Sequence, residues 1–159
     1  MPLSKLREFL DSRCIKYLVI SHSQAYTAQG VAALAHVSGK KLAKTVIVKV
    51  DGVLAMVVIP ACDHVDLDRL RTLTGGSSVE IAAEQEFQSA FPDCEPGAIP
   101  PFGNLYDMPV YADVTLAECD EITFSAGTHR ELLRMRWEEM LRLVNPTVAE
   151  LTYRSVLVA

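Results

Sequence analysis

Cysteine is scarce and scattered in this 159-residue chain: Cys14, Cys62, Cys94 and Cys119 make no C-x-x-C pair and no Cys/His ligand spacing. Neither a zinc site nor a disulfide scaffold is indicated, no metal or other cofactor is called for, and a reduced, cytoplasmic setting fits best. Positive charge is short as well. Fifteen Lys and Arg against twenty Asp and Glu leave a net charge of −5, which argues against a chain that holds DNA or RNA by bulk electrostatics. Any RNA contact has to be local. The lysines of 40–49 and the group Arg130, Arg134, Arg136 and Arg142 are the basic clusters. No apolar run approaches the length of a bilayer span, and the charged, amphipathic start MPLSKLREFLDSR lacks a signal-peptide hydrophobic region, so no membrane partner is expected. Repeats, low-complexity tracts and linkers are missing too.

What is present is a half-hydrophobic composition, enough at this length for one domain with a real core, taken as residues 1–159. Leu6, Phe9 and Leu10 follow helical spacing after Leu3, and Tyr17 to Ser21 reads as a strand. Thr27 is a candidate cap for a helix with the body VAALAHV, ending near Gly39. Asp66 is a cap for LDRLRTL, which Gly75-Gly76 stops. SSVEIA reads as a short strand, AEQEFQSAF as a short helix, PVYAD and EITFS as strands. RWEEMLRLVNP is a helix with Trp137, Met140, Leu141 and Val144 on one side, while LTYRSVLVA has no clear pattern. Helices mixed with strands point to one α/β or α+β domain, a mixed sheet flanked by helices.

The stretch GKKLAKTVIVKVDG contains the first candidate site residue. Asp51-Gly52 between Val50 and Val53 is a two-residue hairpin turn, because both turn positions favour positive φ. The expected partners are Val50 with Val53, Val48 with Ala55, Val46 with Val57, and Lys44 with Ile59. Side chains alternate along a strand, so Lys44 ends the file of Val46, Val48 and Val50, with Lys49 on the other file, read as the wet one. A lysine at a strand end ordinarily lays its methylenes on apolar surface and keeps its ammonium in water. A desolvated ammonium instead needs a partner or an anionic ligand.

Three further segments are candidates to converge on it. EPGAIPPFGN interrupts regular structure with three prolines, and Gly97 and Gly103 bracket a stiff segment whose backbone N–H groups a ligand can approach. His22-Ser23-Gln24-Ala25-Tyr26-Thr27 lies between a strand and a helix, and Ser125-Ala126-Gly127-Thr128-His129 follows a strand. Taken alone, either histidine reads as a surface or hydrogen-bonded residue and the loop as a rigid turn.

Taken in order, these pieces resemble a known family. An early histidine with Tyr and Thr before a helix, then AKTVIV, an apolar strand and D-x-D-x-L, then G-A-I-P-P-F-G, a strand ending in Asp113, and F-S-A-G resemble the YbaK/ProX family. These are aminoacyl-tRNA deacylases related to the editing domain of bacterial prolyl-tRNA synthetases. The resemblance runs from about His22 to Met135 and implies a curved, partly open barrel-like mixed sheet. It also implies a trans-editing hydrolase that cleaves the ester of mischarged aminoacyl-tRNA. Lys44 matches the family's essential lysine, and Gly97, Ala98, Ile99, Pro100 and Pro101, with Phe102 and Gly103, match its substrate loop. Ser125 and Gly127 match a small-residue turn lining the pocket, Tyr26 and Thr27 the segment covering the amino acid, and His22 and His129 are candidate polar contacts. Two positions depart from relatives: Leu132 stands where Cys-tRNA(Pro) deacylases carry aspartate, with Glu131 adjacent, and Thr45 where Ala-tRNA(Pro) deacylases carry asparagine.

The implied partner is the 3′ end of an aminoacyl-tRNA, with a synthetase or elongation factor presenting it, since so acidic a chain neutralises few phosphates by itself. Small residues at Ala25, Ala28 and Ala98 suggest a small amino acid such as alanine, serine or cysteine. No Ser-His-Asp set is evident, which leaves water or a substrate group as nucleophile. A tRNA- or synthetase-binding module without hydrolysis, and a hydrolase of another acyl or nucleotide ligand, stay open as alternatives.

Overall fold

The hairpin read from Asp51-Gly52 forms the middle of the sheet. In the computed structural model, which describes residues 4–21 and 42–153, strands β2 (Leu42–Val50) and β3 (Val53–Pro60) pair antiparallel. The partners are those expected, Val50 with Val53 through Lys44 with Ile59. Both turn residues take positive φ, 50° at Asp51 and 84° at Gly52. Asp51 has a second use: its carboxylate accepts the N–H groups of Ser77 and Ser78 at 2.9 and 2.8 Å. That bond starts the short strand β5 (Val79–Ile81) against β2.

Around the hairpin are β1 (Tyr17–Ser21), β6 (Val110–Asp113), β7 (Glu121–Ser125), β8 (Glu131–Arg136) and β9 (Thr147–Ala149). The order is β1-β8-β7-β2-β3-β6-β9, with β5 beside β2. The pairs β7–β2, β3–β6 and β6–β9 are parallel and the others antiparallel. This is the mixed, open sheet with flanking helices that the sequence implies. β4 (His64–Val65) and β10 (Thr152–Tyr153) form a separate ribbon. Strand β8 was not legible in sequence, because Leu132-Leu133 breaks the alternation; both are fully buried, one on each face of a sheet covered on both sides.

That double covering also corrects the reading of β2. The file of Ala43 and Ile47 is not wet: both are 3% exposed and belong to the larger core, with Met56, Val58, Phe102, Phe124 and Leu133. Lys49 ends this file by reaching outward to Glu80 and Glu86, at 3.1 and 2.6 Å. The opposite file, Val46, Val48 and Val50, packs into a smaller core with Val57, Ile59, Leu70 and Leu151.

The helices follow their signals with two adjustments. Helix α1 (Ser4–Ser12) buries Leu6 and Leu10. Helix α2 (Leu67–Thr74) starts at Asp66, whose carboxylate accepts the N–H groups of Asp68 and Arg69, and stops at Gly75 with φ 72°. The helix expected over AEQEFQSAF is split into α3 (Glu84–Phe87) and a 3-10 turn over Gln88–Ala90. Helix α4 (Trp137–Val144) buries Trp137, Met140 and Val144, whereas Leu141 is 39% exposed. At 100° per residue the three buried positions span one narrow stripe and Leu141 falls at its edge. His22, Tyr26, Thr27 and the helix expected after them lie outside the described residues.

Candidate functional site

Lys44 sits where two strand pairings hand over. On one side it pairs with Ile59 of β3. On the other, β2 runs parallel to β7 with Leu42 opposite Thr123 and Ala43 opposite Phe124. The pairing stops one residue before Lys44 and one before Ser125, the last residue of β7. Lys44 is half-buried. Burial pushes its ammonium pKa down from the ordinary lysine value, and the negative charge of Asp63, with a smaller contribution from Cys62, pushes back up.

Beyond Ser125 the chain turns, and this turn is bound to the proline-rich loop. Gly127 donates its N–H to the Ala98 carbonyl at 2.9 Å, and its own carbonyl accepts the Glu95 N–H at 2.8 Å. His129, buried at 4% exposure, adds a hydrogen bond between Nε2 and the Pro96 carbonyl. Gly97 and Gly127 both need positive φ, 79° and 97°, which an L side chain adopts only under strain. The expected convergence of the 97–103 loop with the 125–129 turn is therefore present, and the β2–β7 register brings Lys44 to the same edge.

The loop is stiffer than its prolines alone would make it. Ala98, Ile99, Pro100, Pro101, Phe102 and Gly103 are all buried. The Ala98 N–H donates to Glu95 and the Phe102 N–H to Pro100, and the Phe102 ring lies 5.6 Å from that of Phe124. Gly103 has a role other than ligand approach. A Cβ there would lie 2.4 Å from the Met108 carbonyl oxygen and 2.5 Å from a Val110 methyl, so the absence of a side chain lets the loop close on β6. Gly97 and Ile99 keep N–H groups that donate to no acceptor among the described residues.

Asp63 escaped the sequence reading. Asp63, 2% exposed, lies in the turn after β3; the hairpin register already returns that turn to the Lys44 end of β2. Thr45 has a buried hydroxyl without a hydrogen-bond partner among the described residues, on the face toward the larger core. No group of His, Cys, Asp and Glu suited to a metal occurs among the described residues, and none of their helices is long and apolar enough to cross a membrane.

The aminoacyl-tRNA editing domain family matches residues 22–143, a span that contains Lys44, the proline-rich loop and the turn after β7. A proline–tRNA ligase of Bacillus mycoides (strain KBAB4) is 29% identical over 87 residues, which are 55% of this chain and 15% of the ligase. The corresponding ligase of Bacillus cereus (strain AH187) gives the same identity and coverage. The chain thus spans a small part of these relatives. Among solved structures, the hypothetical protein APE2540 superposes with a TM-score of 0.85 at 22% identity, over 94% of this chain and all of that one. A candidate trans-editing enzyme for prolyl tRNA synthetase gives 0.79 at 23% identity, over 94% and 95%. At such identities these two likenesses show a shared fold.

Proposed function

Because the chain belongs to the aminoacyl-tRNA editing domain family, we propose that it is a trans-editing hydrolase that cleaves the ester between a small amino acid and a mischarged tRNA. The family supports aminoacyl-tRNA editing in general; the ester chemistry and the residues below are our reading. The observation that carries it is the position of Lys44, a half-buried ammonium between Leu42 and Val46 on one face of β2, the strand whose start pairs with the end of β7 just before the turn that Gly127 ties to Ala98.

Hydrolysis of an aminoacyl ester puts negative charge on the carbonyl oxygen in the tetrahedral transition state. A fixed donor aimed there contributes about 3–4 kcal/mol of stabilisation, more effectively when water is excluded. Lys44 supplies one such donor, and the N–H groups of Gly97 and Ile99 are candidates for others. Water, or a hydroxyl of the substrate, is the nucleophile, and the 2′- or 3′-oxygen of the terminal ribose leaves with a proton. The buried loop from Ala98 to Gly103 forms a wall that cannot yield. A wall of that kind excludes large amino acids by steric clash, where a merely apolar pocket would discriminate by only about 1–3 kcal/mol per methylene. The 3′ end of the tRNA is the partner, presented by a synthetase or elongation factor.

Single-turnover deacylation of a panel of mischarged tRNAs tests this. Hydrolysis of alanyl, seryl or cysteinyl esters ahead of large ones is expected. Preferential cleavage of a bulky aromatic ester overturns the size argument. Binding without any turnover makes the protein a tRNA-binding module.

A further inference from the structure

The basic cluster around the end of β8 has no part in the scheme above, and its members are engaged unequally. Arg136 and Arg142 are ion-paired, with Glu138 and Glu139. Arg134 is half-buried, and its Nε donates to Thr123 Oγ1 at 3.3 Å. Among the described residues no carboxylate pairs with it, and its two terminal nitrogens donate to no acceptor. Lys16, exposed just before β1, has no ion-pair partner among the described residues either. Lys16, Arg134 and Arg136 line one groove of about 320 Å³ together with Leu18, which is 54% exposed, and Glu121. The groove thus carries the sign opposite to the chain's net charge of −5.

The strand register relates this groove to Lys44. Leu18 pairs with Arg134, Arg134 with Thr123, and Thr123 with Leu42, so the four share one face of the sheet. Lys44 follows Leu42 by two residues on β2 and shares that face. Two strand spacings, about 10 Å, separate the backbones of Arg134 and Leu42, a span that a few nucleotides of single-stranded RNA cover. Thr123 and Leu42 are buried, so the groove and Lys44 are two contacts on one face and not one continuous pocket. We propose that the groove binds the ribose-phosphate backbone of the tRNA acceptor end, with the Arg134 fork and the Lys16 ammonium on phosphates, while the esterified 3′ adenosine reaches Lys44. A half-buried guanidinium without a carboxylate carries a desolvation cost that an anionic ligand offsets. Its planar fork matches a phosphate in two parallel hydrogen bonds, and Leu18 offers apolar surface to a ribose or base. The proposal rests on the reading of aminoacyl-tRNA as the substrate.

The test is fluorescence anisotropy with a labelled RNA acceptor-stem hairpin ending in CCA, titrated over a range of salt with the wild-type protein, Lys16→Ala, Arg134→Gln, Arg136→Ala and Glu121→Gln. Arg71→Ala on α2, which removes a cation paired with Asp68, is the charge-matched control. Single-turnover deacylation at varied protein concentration is measured in parallel. Lys16→Ala and Arg134→Gln are each expected to bind about fivefold more weakly at 0.1 M salt and to reduce the slope of log K against log salt by about 0.7, the value for one phosphate on a single strand. The half-saturating concentration in deacylation should rise likewise, with the saturating rate kept. Arg136→Ala, whose charge Glu138 already offsets, should change less, Glu121→Gln should bind more tightly, and Arg71→Ala should match wild type. Wild-type affinity and slope in both Lys16→Ala and Arg134→Gln overturn the proposal, and so does an equal loss in Arg71→Ala, which makes net charge the cause. If Arg134→Gln does not fold, the exposed Lys16→Ala decides. Failure of the deacylase reading gives a different result, no turnover of any mischarged tRNA, while the anisotropy still reports whether the groove holds RNA.

Discussion

Gly127 donates its N–H to the carbonyl of Ala98 at 2.9 Å, and through this bond the turn after β7 fixes the proline-rich loop. Gly127 holds φ at 97° to do so. Gly127→Ala forces a Cβ into a backbone region that L residues reach at a cost of about 1–3 kcal/mol. The unfolding midpoint in urea is expected to fall accordingly, with deacylation impaired beyond what the loss of folded protein explains.

Lys44 and Lys49 share one strand and face opposite ways. Lys44→Ala is expected to lower single-turnover deacylation by about a hundredfold or more while the fold survives. Lys44→Arg should be strongly impaired too, because a planar guanidinium does not fit an ammonium's site. Lys49→Ala removes ion pairs to Glu80 and Glu86 and should keep near-normal activity. Equal rates in all three, with unchanged circular dichroism, would take Lys44 out of the mechanism.

Asp66 caps α2 by accepting the N–H groups of Asp68 and Arg69 at 3.1 and 3.2 Å. Asp66→Ala leaves those donors without the cap and is expected to destabilise by about 1 kcal/mol. Asp66→Asn, which keeps the acceptor, should recover most of the loss in the same denaturation experiment.

Tyr106 gives the fold an alkaline weakness. Burial raises the phenol pKa well above its ordinary value, with further upward contributions from the Cys94 thiol, whose Sγ lies 3.7 Å from the hydroxyl, and from Asp93. The folded state keeps this proton after the unfolded chain has released it. The unfolded chain therefore binds fewer protons above the ordinary phenol pKa of about 10, and stability falls as pH rises from there. Tyr106→Phe is expected to flatten the decline of the urea midpoint above pH 10. A slope identical to wild type would show that Tyr106 titrates alike in the folded and unfolded chains.

The sequence by itself determined the features that depend on neighbours along the chain. Asp51-Gly52 dictates a turn, the turn dictates the register down to Lys44 with Ile59, and period-two alternation assigns Lys44 to the file of Val46 and Val48. Asp66 and Gly75 bound their helix for equally local reasons, and the prolines of 96–101 stop regular structure wherever they fall. Only the tertiary structure decided which file faces which core, because alternation separates two sides without saying what covers them; Ile47 is buried because a whole layer lies over it. The β2–β7 pairing is likewise invisible locally. Leu42 meets Thr123 in parallel, and no turn joins the two strands to set that register. That pairing brings the start of β2 to the end of β7, and the bonds from Gly127 to Ala98 and from His129 to Pro96 complete the candidate site from segments whose meeting depends on the closed core.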